Sequence, residues 1–150
     1  VIGTADDAQS IAVAHAMFAL GEPLPEGWTL LGQGQHRTAY LAPDQGTVYK
    51  VGSDHHNRIE HQRLTAWREQ GKAWAPATSL HVVDRFEPAI PAWDGTTAVI
   101  AMPYIAGDDA DCDVTDIFQA MLSGGAMDLN ISANVICKDG QPYLIDAAGM

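Results

Sequence analysis

The stretch Trp28-Thr-Leu-Leu-Gly-Gln-Gly-Gln-His-Arg-Thr-Ala-Tyr-Leu41, carried on through Ala42-Pro-Asp-Gln-Gly46 to Thr47-Val-Tyr-Lys-Val51, decides how this chain is read. Its β-branched and aromatic residues gather in three short runs, Trp28–Leu31, Thr38–Leu41 and Thr47–Val51, separated by Gly32-Gln-Gly34 and Pro43-Asp-Gln-Gly46. Runs of this kind between glycine and proline punctuation predict strands joined by tight turns, and three antiparallel strands in a meander are the simplest outcome.

Working outward, the acidic segment Asp6-Asp7-Ala-Gln-Ser10 leads into Ile11–Leu20, which reads as a capped helix stopped at Gly21 and by Pro23 and Pro25. Downstream, His56–Gln70 places Ile59, Leu64 and Trp67 at helical spacing among polar residues, with Gly71 as its stop. Leu80–Val83 and Ala98–Met102 add two strands, for a sheet of about five. Pro103–Gly107 reads as a connector, Asp108–Asp113 as a solvated turn and Val114–Leu122 as a short helix. Val135–Cys137 and Pro142–Ile145 form a hairpin around the turn Lys138-Asp-Gly-Gln141.

The chain has 150 residues, 47% of them hydrophobic and 18% charged, which suits one α+β domain with a real core and excludes a disordered or fibrous class. With a formal net charge of −11 and eight scattered Lys and Arg, it is not expected to bind nucleic acid by phosphate neutralisation. The longest apolar segment, Ile11–Leu20, is too short to span a bilayer and has no basic leader before it, so no membrane partner and a cytoplasmic location are expected. Cys112 and Cys137 have no metal-ligand spacing and are expected as reduced thiols, and His55, His56 and His61 read as a solvated helix start rather than a metal site.

Several residues carry chemistry. Gly32 and Gly34, between strands, let backbone amides approach phosphate oxygens, although a hairpin that binds nothing has the same composition. Strand alternation sets Lys50 on one face with Val48, where it needs a counter-charge unless it is a solvated edge lysine. Glu60 lies on the apolar stripe of its helix and is the natural partner, with Glu69 the alternative. Asp128, Asn134 and Asp146 stand near two strand ends. Such oxygen donors suit a magnesium-bound phosphate, and an Asp nearby can take a proton from an attacking hydroxyl; the alternative is an Asx-rich surface turn.

In this order, Gly32-Gln-Gly34, Lys50, Glu60, the connector Met102–Gly107, Asp128 with Asn134, and Asp146 with Gly149 resemble the protein-kinase-like fold from about Leu30 to the end. Leu31–Leu41, Val48–Val51 and Asn57-Arg-Ile-Glu60 look most similar to small kinase-like proteins encoded by bacteriophages. The resemblance implies a minimal kinase-like α+β fold: a helix and linker over 1–27, a five-stranded antiparallel N-lobe with one main helix over 28–105, and a truncated C-lobe over 106–150. It also implies that Gly32, Gly34 and Lys50 bind ATP phosphates, with Glu60 holding Lys50. Met102, Tyr104 and Ile105 would border the adenine, Asp128 would be catalytic, and Asn134 and Asp146 would hold Mg2+.

The chain departs from the family pattern at several points. Arg37 replaces the third glycine, Asp128 lies six rather than five residues before Asn134, Ala126-Met127 stands in place of His-Arg, and Asp146-Ala-Ala-Gly replaces Asp-Phe-Gly. No activation segment or peptide-binding floor is expected in this chain. Three functions stay open: an ATP/Mg-dependent phosphotransferase with unknown acceptor, an inactive kinase-like (pseudokinase) module that binds nucleotide or a protein partner, and an unrelated α+β domain.

Overall fold

The structure is a computed structural model that describes residues 1–84, 96–107, 112–124 and 134–147. Among these, the elements run α1 (Ala5–Ala19), β1 (Thr29–Gln33), β2 (Arg37–Leu41), β3 (Thr47–Gly52), α2 (Asp54–Glu69), β4 (Ser79–Asp84), β5 (Thr96–Pro103), α3 (Thr115–Ser123), β6 (Val135–Lys138) and β7 (Gln141–Leu144). The protein is α+β. Strands β1 to β5 form one antiparallel sheet in the order β1-β2-β3-β5-β4, and β6 and β7 pair as a separate hairpin.

The meander expected from the opening stretch is β1-β2-β3. Within β1 the pairing is irregular between Leu30 and Gly32, where the register to β2 shifts by a residue. An extra residue of this kind bends the strand and strengthens its local twist. In the second turn the Asp44 carboxylate accepts from Gly46 N (2.7 Å), Thr47 N (3.0 Å) and the Thr47 hydroxyl (2.9 Å). These bonds hold the Asp44 carboxyl below its usual range and close the Asx turn.

Sheet alternation separates two cores. Tyr40, Tyr49, Val51, Val99 and Ala101 face α1 and pack on its Ala8, Ile11, Ala12 and Ala14. Leu41, Val48 and Met102 face the other way and meet Leu64 and Trp67 of α2, Ile117 and Met121 of α3, and Leu144 of β7. Because both faces are covered, β3 is buried at five consecutive positions, Thr47–Val51, instead of alternating between core and water. Helix α1 therefore covers one face of the sheet as a layer of its own. Thr4 caps α1 by accepting from Asp7 N at 3.0 Å, and its own N–H donates to the Tyr49 hydroxyl at 3.0 Å.

Helix α2 positions the site. Ser53 caps it, and its buried stripe reads Asn57, Glu60, Leu64, Trp67, a spacing of three and four residues that keeps one face inward. The C-terminal half of that stripe is apolar and enters the core. Its N-terminal half is polar and meets β3. Asp54 fixes the approach, its carboxylate accepting from Ala98 N (2.9 Å) and the Thr97 hydroxyl (2.7 Å) of β5.

One expectation is corrected. Cys112 and Cys137 are joined in a disulfide with their Cα atoms 6.1 Å apart, instead of standing as separate thiols. The fold brings the residue that precedes α3 against β6, a proximity that a 25-residue separation without any motif does not announce. Gly107 lies against the same strand, since a Cβ there would run into the Cys137 carbonyl. No helix among the described residues is long and apolar enough to cross a membrane.

Candidate functional site

Four ionisable side chains meet where β2, β3, α2 and the segment after β7 converge. Lys50 sits in the middle of β3, between Ala39 of β2 and Ile100 of β5, so it is a central-strand residue and not an edge lysine. Its Nζ donates to Glu60 Oε1 at 2.6 Å and to the Ile145 carbonyl at 2.6 Å. Glu60 is fully buried, and its Oε2 also accepts from Arg37 Nη2 (3.0 Å) and Ala147 N (2.9 Å). Burial alone would push this carboxyl up; the Lys50 and Arg37 charges and their hydrogen bonds outweigh it and hold the group at about 2. Glu60 is thus ionised. Glu69, the other candidate partner, is exposed on the far end of the helix.

Arg37 is the member that sequence reasoning missed. In sequence it marks only the place of an absent third glycine, yet its guanidinium spans the site. Nη2 reaches both Glu60 Oε2 and, at 2.9 Å, Asp146 Oδ1, while Nη1 donates to Asn57 Oδ1 at 3.1 Å. Asn57 is itself immobilised, donating to the Lys50 carbonyl at 2.9 Å and the Ala98 carbonyl at 2.7 Å. A signal did exist. Asn57 lies three residues before Glu60 on the inward stripe, and a buried amide next to a buried carboxylate calls for a multivalent donor such as arginine.

The β6–β7 hairpin delivers Asp146. Its turn uses Asp139 (φ 53°) and Gly140 (φ 79°), the pair of positive-φ residues that a two-residue hairpin loop requires. Beyond it, Ile145 N donates to the Asn134 carbonyl (2.8 Å), the Ile145 carbonyl receives Lys50, Ala147 N donates to Glu60, and the Ala147 carbonyl receives Arg63 Nη1 (3.0 Å). Backbone bonds on both sides therefore set where Asp146 points.

These groups form the floor of a cavity of about 700 Å³. Gly32, Gly34 and Arg37 of the first hairpin form one wall, Met102, Tyr104 and Ile105 at the end of β5 another, and Lys50, Asn134 and Asp146 the base. Of the residues picked out from sequence, Gly32, Gly34, Lys50, Met102, Tyr104, Ile105, Asn134 and Asp146 all line this one cavity, with Glu60 directly behind Lys50. Asp128 and Gly149 lie outside the described residues. The lining combines apolar Ala39, Val48 and Met102 with the charged Arg37, Lys50 and Asp146.

At the mouth, His36 and His56 stack with ring centroids 4.2 Å apart, and His56 Nδ1 lies 2.7 Å from the Ser53 hydroxyl. Burial, followed by the nearby His36, Arg37 and His55, keeps His56 below the usual histidine range. His61 turns elsewhere, to the Thr78 hydroxyl at 2.6 Å.

Asn134 and Asp146 offer oxygen donors of the kind magnesium takes. Among the described residues no group of three or more His, Cys, Asp or Glu is placed to hold a metal ion.

No protein-family model matches the chain, and no curated protein matches its sequence.

Proposed function

We propose that the cleft binds ATP with magnesium, and that the chain is a phosphotransferase of minimal kinase-like fold whose acceptor is a hydroxyl compound not yet identified. The observation that carries this is the position of Lys50. Its ammonium is preset by Glu60 and the Ile145 carbonyl, at 2.6 Å each, and faces the same cavity as the glycine hairpin, Asn134 and Asp146. A cation held in this way costs little reorganisation when phosphate arrives, which is how positioning and electrostatics contribute to phosphoryl transfer. The adenine would lie against Met102, Tyr104 and Ile105, and Asp128 would accept the proton of the attacking hydroxyl. Magnesium, when bound, would neutralise phosphate charge from Asn134 and Asp146. This reading sets the protein in the cytoplasm, where thiols are held reduced; the Cys112–Cys137 bridge therefore makes its redox state in the cell worth measuring.

A second reading, an inactive kinase-like module that binds nucleotide or a protein partner, is favoured by the Arg37–Asp146 ion pair at 2.9 Å, which engages the carboxylate a catalytic metal would use. Transfer of the γ-phosphate from labelled ATP separates the two, measured together with ATP affinity in the wild type and in Asp128→Ala. An enzyme loses turnover in the variant and keeps its affinity. Binding without turnover in either protein supports the module. Absence of ATP binding in both would remove the enzyme reading and leave only a module that binds a protein partner.

A further inference from the structure

We infer that Arg37 is the resident counter-ion of Asp146, a positioning residue that a divalent cation has to displace before Asp146 can serve as a metal ligand. The inference rests on the reading of the cleft as a magnesium-nucleotide site and adds to it a control that the residues themselves supply. Arg37 is held on three sides, by Asn57, Glu60 and Asp146, and its side chain is only 9% exposed. Of its two carboxylate partners, Glu60 is sealed in the interior, whereas Asp146 is 43% exposed on the cavity floor. Only the bond to Asp146 can be exchanged from the cleft.

The charges explain why exchange, and not simple addition, is required. Lys50 and Arg37 set two positive charges against the two negative charges of Glu60 and Asp146. A doubly charged ion on Asp146 would lie within a few ångströms of the guanidinium, and like charges at such range repel strongly in a partly buried site. Relief is local, because Arg37 keeps Glu60 and Asn57 when it lets go of Asp146. Arg37 also closes the glycine hairpin, its carbonyl accepting from Gly34 N at 2.8 Å.

The test uses Mn2+ as the probe, followed by water-proton relaxation and electron paramagnetic resonance on the full chain without nucleotide, with ATP binding measured in parallel. Arg37→Gln should bind Mn2+ about fivefold more tightly than the wild type. Arg37→Lys, which keeps the charge beside Glu60 but cannot bridge both carboxylates, should move in the same direction. Asp146→Asn should lose the site in either background. Unchanged or weaker Mn2+ binding in both arginine variants, or none in any protein, overturns the inference. Tighter Mn2+ binding in the variants without any ATP binding leaves the inference standing and removes the nucleotide reading. ATP binding with an unaltered Mn2+ affinity does the reverse.

Discussion

Replacing Glu60 by alanine tests the physical centre of the site. Glu60 is fully buried and accepts three hydrogen-bond partners through its two oxygens, from Lys50 at 2.6 Å, Arg37 at 3.0 Å and Ala147 N at 2.9 Å. The truncation leaves Lys50, whose side chain is 10% exposed, without its carboxylate, and it deprives Arg37 of one of two. Removing one partner of a buried pair costs about 3–5 kcal/mol, mostly because the remaining charge stays out of water. For a chain of this length that corresponds to a fall in melting temperature of roughly 6–20 °C. Thermal and urea unfolding of wild type and Glu60→Ala measure it. The double variant Lys50→Met with Glu60→Leu serves as the control, since replacing the whole pair by apolar groups should restore most of the stability while ligand binding stays lost. A loss below about 1 kcal/mol in Glu60→Ala would refute the reasoning, because it would mean that solvent screens the pair as it does at a surface.

Three further outcomes are expected. The Glu60 carboxyl is held at about 2 against an ordinary 4.5, so its contribution to stability is complete above about 4.5 and is lost as pH falls toward 2; acid unfolding of Glu60→Gln should be shallower over that window than that of the wild type. Reducing the Cys112–Cys137 bridge, which closes a loop across a separation of 25 residues, should cost about 3 kcal/mol, seen as a lower melting point in dithiothreitol that is absent in a Cys112→Ser, Cys137→Ser variant. Asp44→Ala removes three bonds from the β2–β3 turn and should destabilise by about 1–2 kcal/mol without altering ligand affinity, as equilibrium unfolding and calorimetry would register.

The sheet was readable because its signals are local. Glycine and proline clusters bracket the runs that become β1, β2 and β3, and the Asp139-Gly140 turn announces β6–β7. The Lys50–Glu60 pair was readable for a different reason. One residue falls on the inner face of a strand and the other on the inner stripe of the next helix, and two opposite charges turned inward from consecutive elements have little choice but to meet. What sequence left out depends on pairs far apart in the chain. Arg37 and Asp146 are separated by 109 residues, and nothing in either neighbourhood marks the contact. The disulfide is hidden in the same way, because its two cysteines are brought together by the docking of the hairpin. The place of β5 between β3 and β4 also follows from packing and not from chain order. Asn57 lay in plain view on the helix stripe, but its role emerges only when the two backbone carbonyls it binds are seen to come from different strands.

The most direct test of the cleft as a nucleotide site is calorimetric and thermal-shift titration of the chain with ATP, with and without magnesium, beside Lys50→Met and Asp146→Ala. Saturable binding that strengthens with magnesium in the wild type, weakens in Lys50→Met and loses its magnesium dependence in Asp146→Ala is the expected result. Absence of binding at millimolar ATP, or equal binding in all three proteins, would contradict it.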